Sequence, residues 1–149
     1  MDGRSKLELI KLITKLHPKI KNINILLDNT DYSKDIKDKL LENRYLLDKD
    51  INLNFIDVKY KSQILNKLKN MDKNNDVLLI CGVFKDKKSD NYINPEELIS
   101  EIKSVIDLPI YTSRQDYIGK GVIGGCVDLG YEHGNALGKM VLKLYEEKD

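Results

Sequence analysis

The stretch DVLLICGV, Asp76 to Val83, constrains this chain more than any other, because the seven residues after Asp76 carry no charged or strongly polar side chain. A strand apolar on both faces has no side to turn to water, so it belongs inside a parallel sheet covered by helices above and below. The preceding residues supply its neighbours. INILLD (Ile23 to Asp28) reads as a buried strand, and the polar turn DNTDYS leads from it to Ile36, Leu40, Leu41 and Leu47 on one helix face. Asn52 to Val58 is a second strand, and Ile64, Leu65, Leu68 and Met71 make a second amphipathic helix. Ahead of all of these, Leu9, Ile10, Ile13 and Leu16 recur at helical spacing and Pro18 ends the run, which predicts a leading helix over 5–17.

Beyond the apolar strand, a polar loop from Phe84 to Tyr92 ends in Asn94-Pro95-Glu96-Glu97. This places an N-cap, a proline at the first helical position and a carboxylate at the third, a strong helix start. Leu98, Ile99, Ile102, Val105 and Ile106 supply the buried face of that helix. LPIYTS (Leu108 to Ser113) is a fourth strand and GVIGGCVD (Gly121 to Asp128) a short, glycine-broken fifth. A closing helix is expected from about Tyr131 to Glu147, with Leu137, Met140, Val141, Leu144 and Tyr145 inward and Gly134 and Gly138 one turn apart. Alternating strands and helices predict a three-layer α/β/α sandwich with a five-stranded, mainly parallel, flavodoxin-like sheet in the order 2-1-3-4-5. The expected organisation is a single α/β lobe over 1–149, with the leading helix at 5–17 and the core at 22–149. At 149 residues the chain is long enough to bury roughly 70% of its unfolded surface without disulfides or metals.

Charge narrows the function classes. Lys and Arg total 25 against 24 Asp and Glu, a formal +1, so the electrostatic footprint of a dedicated nucleic-acid or anionic-membrane binder is missing. Apolar runs fall short of the roughly 20 residues that a membrane helix needs. Cys81 and Cys126 sit in apolar segments outside any C-x-x-C spacing, as small buried residues, a disulfide or a reactive thiol would; His17 and His133 are isolated. No metal-ligand cluster and no cofactor motif follow from these residues.

Open α/β sheets bind ligands outside the carboxyl ends of their strands. That rule directs attention to Asp28 to Tyr32, Gly82 to Phe84 and Ser113 to Tyr117. A phosphoacceptor receiver would need a carboxylate after the third strand, where Cys81-Gly82-Val83 stands, and a lysine after the fifth. The two acids of DNTDYS would repel the phosphate of a flavin or dinucleotide, and no G-x-G-x-x-G follows the first strand. Neither a G-x-S-x-G elbow nor a Ser/His/acid set is present. No enzyme chemistry is therefore expected.

The C-terminal third, LPIYTSRQDYIGKGVIGGCVDLGYEHGNALGKMVLKLYE, is the most informative stretch. Pro109, Tyr111, Asp116, Gly119, Gly121, Gly124, Gly125, Asp128, Gly134 and Gly138 follow an ordered pattern: a Pro-aromatic strand, an acidic loop with Gly-x-Gly, a Gly-Gly strand, then an acid, glycine and helix. In this pattern the sequence resembles the ABC-transporter substrate-binding family with the type I periplasmic-binding-protein fold, especially its members serving as extracytoplasmic sensor domains of histidine kinases and diguanylate cyclases. KDKKSDNYINPEELISEIKS and INILLDNTDYS extend the resemblance over roughly Leu7 to Tyr145. Such proteins close two lobes on a ligand, and this chain has the length of the second alone. The resemblance implies a non-catalytic ligand-sensing or substrate-binding lobe of a bacterial membrane signal-transduction protein. It implies a small-molecule ligand, a second lobe or homodimer partner, and attachment to a membrane only through parts outside this chain. The start, Met1 to Lys6, lacks the apolar core of a signal peptide, as expected of a domain excised from a longer sensor.

Carried over by position, the resemblance makes Asp28, Asn29, Thr30 and Tyr32 ligand contacts on the first turn, Ser113, Arg114 and Asp116 on the loop after the fourth strand, and Gly121 through its backbone amide. Each residue also has a structural role open to it. Thr30, Asp31 or Ser33 can cap a helix, Asp28 can hold backbone amides, Arg114 and Asp116 can pair in solvent, and the glycines can serve backbone geometry. Tyr111 and Tyr117 could stack on a ligand ring or pack in the core, and Lys85, Lys87 and Lys88 suit a solvated loop. The alternative class is a stand-alone cytosolic flavodoxin-like interaction or signalling module without a small-molecule ligand.

Overall fold

Four parallel strands in the order β2-β1-β3-β4 form the heart of the α/β fold: β1 (Asn22–Leu27), β2 (Asn52–Asp57), β3 (Asp76–Ile80) and β4 (Ile110–Thr112). Among the described residues four α-helices accompany them, α1 (Gly3–Leu16), α2 (Asp31–Glu42), α3 (Lys61–Leu68) and α4 (Pro95–Val105). These come from a computed structural model that describes residues 3–120, 124–128 and 140–144. β1 pairs in register with β2 on one side and β3 on the other, so the chain crosses back over β1 before reaching β3. All five residues of β3 are buried, as the two-sided apolar pattern requires.

Two apolar layers flank the sheet. One joins Leu9, Ile10 and Ile13 of α1 and Ile36 and Leu40 of α2 to Ile23, Ile25, Val77 and Leu79. The other joins Ile64 and Leu68 of α3 and Leu98, Ile99 and Ile102 of α4 to Leu26, Leu78, Ile80 and Ile110. Burying each such side chain contributes roughly 1.5–3 kcal/mol. Helix starts follow their local chemistry. Thr30 caps α2 by accepting from the Ser33 amide, and Asn94 caps α4 by accepting from the Glu96 amide with Pro95 in the first turn.

A polar ladder crosses the second layer. The Asn54 carboxamide donates to Asn24 Oδ1 at 3.3 Å, and buried Asn24 donates to Asp76 Oδ1 at 3.0 Å and to the Val77 carbonyl at 3.2 Å. Asp76 in turn accepts from the Asp72 amide at 2.8 Å. Every buried polar atom in this chain of bonds has a partner, and a one-residue slip of β1 against β3 would break both bonds that Asn24 makes to Asp76 and Val77.

Several expectations need correction. α2 stops at Glu42, a 3-10 turn follows at Arg44–Leu46, and Leu47 packs on the core from beyond it. Leu41 is 49% exposed and Val105 44%, because each falls at the rim of its helix face. Met71 lies past the end of α3. Gly124–Asp128 forms β5, parallel to β4, and Met140–Leu144 forms β6, antiparallel to β5. Met140, Val141 and Leu144 are thus strand and not closing helix, because a five-residue, mostly apolar segment fits either period and the edge of β5 offers it a partner. The rest of that expected helix, with Gly134, Gly138 and Tyr145, lies outside the described residues.

Candidate functional site

The first turn after β1 is built around one carboxylate. Asp28 Oδ1 accepts from Thr30 Oγ1 at 2.7 Å and Ser33 Oγ at 2.6 Å, while Oδ2 accepts from the Val83 amide at 3.0 Å. The Asp28 amide donates to Ser33 Oγ at 3.0 Å, so one buried hydroxyl closes the turn from both sides. Asn29 takes the left-handed conformation at φ 61°, which a short carboxamide side chain tolerates, and its amide donates to Asp57 Oδ1 at 2.7 Å. The ends of β1, β2 and β3 are thereby tied together.

Burial opposes the charge on Asp28, but hydrogen bonds from Ser33, Thr30 and the Val83 amide, with the nearby Arg114 cation, outweigh it and hold the carboxyl below its ordinary pKa. Thr30 spends its hydroxyl in both directions, donating to Asp28 and accepting from the Ser33 amide.

The loop after β4 faces this turn. Thr112 Oγ1 donates to the Ile80 carbonyl at 2.9 Å and accepts from the Arg114 amide at 2.9 Å, fixing the loop to β3. Arg114 and Asp116 form a two-pronged ion pair at 3.0 and 3.1 Å, about one-third exposed on each side. The Tyr117 hydroxyl donates to the Gly82 carbonyl at 2.9 Å, and its burial pushes the phenol well above its ordinary pKa. Tyr111 and Tyr117 are each 1% exposed, so both rings are core packing and unavailable for stacking on a ligand. Tyr111 points into the α1 layer and shares a 2.8 Å hydrogen bond with Nε2 of His17.

Ser113 differs from its neighbours. It is 2% exposed, and its Oγ has no nitrogen or oxygen partner. The Cys81 thiol beside it is a weak partner at best; burial pushes that thiol up, against the pull of Ser113, Lys6 and Arg114. An unpaired buried hydroxyl typically costs about 1–3 kcal/mol. Ser113 follows directly on β4 at the carboxyl end of the sheet, next to Arg114, and its amide donates to the Ile80 carbonyl at 3.2 Å.

Of the positions expected to meet a ligand, Asp28, Asn29, Thr30, Tyr32, Ser113, Arg114 and Asp116 gather at this one end of the sheet. Gly121 lies outside the described residues. Sequence reasoning missed Lys6, which is fully buried on α1 with its Nζ 5.6 Å from the centre of the 40%-exposed Tyr32 ring. Its signal was available: a lysine in register with Leu9, Ile10 and Ile13 sits in an apolar stripe. The sequence directed attention to Gly82–Phe84 and offered Ser33 as a cap, but nothing local announces that Asp28 joins them by reaching across to β3. Among the described residues, no cluster of His, Cys, Asp and Glu could hold a metal ion, and no helix is long and apolar enough to cross a membrane.

No protein-family model matches the chain, and no curated protein does. In three dimensions it is similar to a conserved domain protein from Vibrio cholerae O1 biovar eltor str. N16961, with a TM-score of 0.52 and 13% sequence identity over 81% of this chain. That likeness shows the fold alone. The chain spans 38% of the length of that protein.

Proposed function

We propose that this chain is a non-catalytic ligand-sensing or substrate-binding lobe, the second lobe of a type I periplasmic-binding fold with the sheet order 2-1-3-4-5. It serves a membrane signal-transduction protein of the histidine kinase or diguanylate cyclase type. In this reading the lobe lies outside the cytoplasm, and the carboxyl ends of β1, β3 and β4 form one wall of a cleft whose other wall is a second lobe or a partner chain.

The observation that carries this reading is the buried Ser113 hydroxyl, which has no nitrogen or oxygen partner and only the Cys81 thiol beside it. Nearly every other polar group around it is spent internally: Asp28 on Thr30, Ser33 and Val83, Thr112 on Ile80 and Arg114, and Arg114 on Asp116. A buried group left unsatisfied in a folded protein calls for a partner, and a ligand entering at the carboxyl ends of the strands would supply one to Ser113. The surrounding bonds hold the loops in place in advance, so little ordering entropy is lost on binding. Signalling then follows from differential affinity: a ligand that fits the closed pair of walls better than the open pair shifts the population by no more than that difference.

The test is a thermal-shift screen of amino acids, nucleosides and sugars, run on this chain and on the whole gene product. A true ligand at a hundredfold excess over its Kd stabilises by roughly 2.7 kcal/mol. Silence from every compound in both proteins would count against ligand sensing.

A further inference from the structure

β2 is the open edge of the sheet: among the described residues it pairs with β1 alone. The Asn52 amide donates to the Lys21 carbonyl and the Val58 amide to the Leu27 carbonyl. By the alternation of a parallel ladder, Asn54 and Ile56 face β1 as well, so the N–H and C=O groups of Leu53, Phe55 and Asp57 point away from the sheet. Natural edge strands are normally guarded by charge, proline or a bulge. The run Asn52–Ile56 has no charged residue and no proline.

Side chains on this edge are left half-used in the same way. Asn52 donates to Asn22 Oδ1 at 3.1 Å and Asn54 donates to Asn24 Oδ1 at 3.3 Å, each to its register partner. Among the described residues, neither Asn52 Oδ1 nor Asn54 Oδ1 accepts a bond. The amide ladder therefore stops at an unfilled edge, beside a groove lined by Asn54, Ile56, Lys67, Asn70 and Met71.

We propose that this edge pairs antiparallel with β2 of a second copy of the chain, about a two-fold axis at Asn54. The segment suits itself as a partner. In that register Leu53 lies opposite Phe55 of the second copy, apolar against apolar on the α2 side, where both side chains already pack partly on the core. On the other face the two Asn54 carboxamides meet, each with a free acceptor and a spare N–H, and extend the ladder across the axis. Leu53 and Phe55 exchange their outward backbone bonds with the second copy. An axis at Phe55 would instead set Leu53 against Asp57, which favours the Asn54 register. The pairing joins two sheets edge to edge and leaves the carboxyl ends of all strands free, so it does not depend on the ligand reading.

Hydrogen exchange on the unaltered protein, measured at high and low concentration beside sedimentation velocity, tests this. The expected result is a dimer in which the Leu53 and Phe55 amides exchange at least about tenfold more slowly than in the diluted monomer. A second measurement fixes the register: oxidised Asn54→Cys gives a disulfide-linked dimer, and Asn52→Cys, with the same native cysteines, does not. A monomer at every concentration would overturn the proposal and hand the edge to a foreign strand. A dimer whose Leu53 and Phe55 amides exchange freely would overturn it in favour of another face.

Discussion

Asp28 and Gly82 touch across the carboxyl ends of β1 and β3: a Cβ on residue 82 would lie 2.8 Å from both Cβ and Cγ of Asp28. Real Cβ atoms do not approach so closely, so glycine is what lets the carboxylate lie flat against the β3 turn and reach the Val83 amide. The Gly82 carbonyl on the other side of this peptide accepts from Tyr117. One small residue therefore joins the three loops of the candidate site.

Gly82→Ala is expected to lower the unfolding free energy by about 1–3 kcal/mol, the usual cost of forcing an extra carbon into a packed position. Urea denaturation with an unchanged slope checks it. A variant as stable as the parent would mean that the Asp28 turn yields easily and that the joint is loose.

Asp28 gives a pH signature with a definite sign. Its folded pKa is depressed, so its contribution to stability is complete above the ordinary carboxylate pKa near 4 and is lost as pH falls through the folded value. Asp28→Asn should therefore be less stable than the parent at pH 7, with the gap closing below about pH 4. Parallel stability curves at both pH values would contradict the bonding pattern around Asp28.

For Ser113, stability and function should part company. Ser113→Ala removes an unsatisfied buried hydroxyl, so the unliganded variant should match the parent or exceed it by about 1 kcal/mol. Any ligand-induced thermal shift should shrink or vanish. A large loss of stability without ligand would show that the hydroxyl is already paired.

His17 has a second titration. Burial lowers its pKa, so the folded protein favours neutral imidazole, and the stability this contributes is full above about pH 6.5 and lost as pH falls through the folded value. The imidazole should titrate below 6.5 by NMR, and His17→Gln should remove that part of the pH dependence. A midpoint above 6.5 would contradict the packing of His17 against Tyr111.

Features legible in the sequence were those decided within a few residues. DVLLICGV could only be a central strand, and Asn94-Pro95 could hardly avoid starting a helix. The gathering of Asp28, Thr30, Ser113 and Arg114 at one end followed from topology, since all stand where parallel strands finish. Tertiary choices were the ones hidden. Whether Leu41 faced core or water turned on which side of α2 met the sheet, and whether Tyr117 met a ligand or a carbonyl turned on Gly82, 35 positions away. Met140–Leu144 was ambiguous for a different reason, being too short for its period to show.

The most direct test of the ligand-binding account is an NMR titration of this chain, or of the whole gene product, with each compound that raises its melting temperature. The account predicts amide shifts concentrated at Asp28–Ser33, Gly82–Phe84 and Ser113–Tyr117, lost in Ser113→Ala. Shifts confined to the groove between β2 and α3, or unaltered by that substitution, would contradict it.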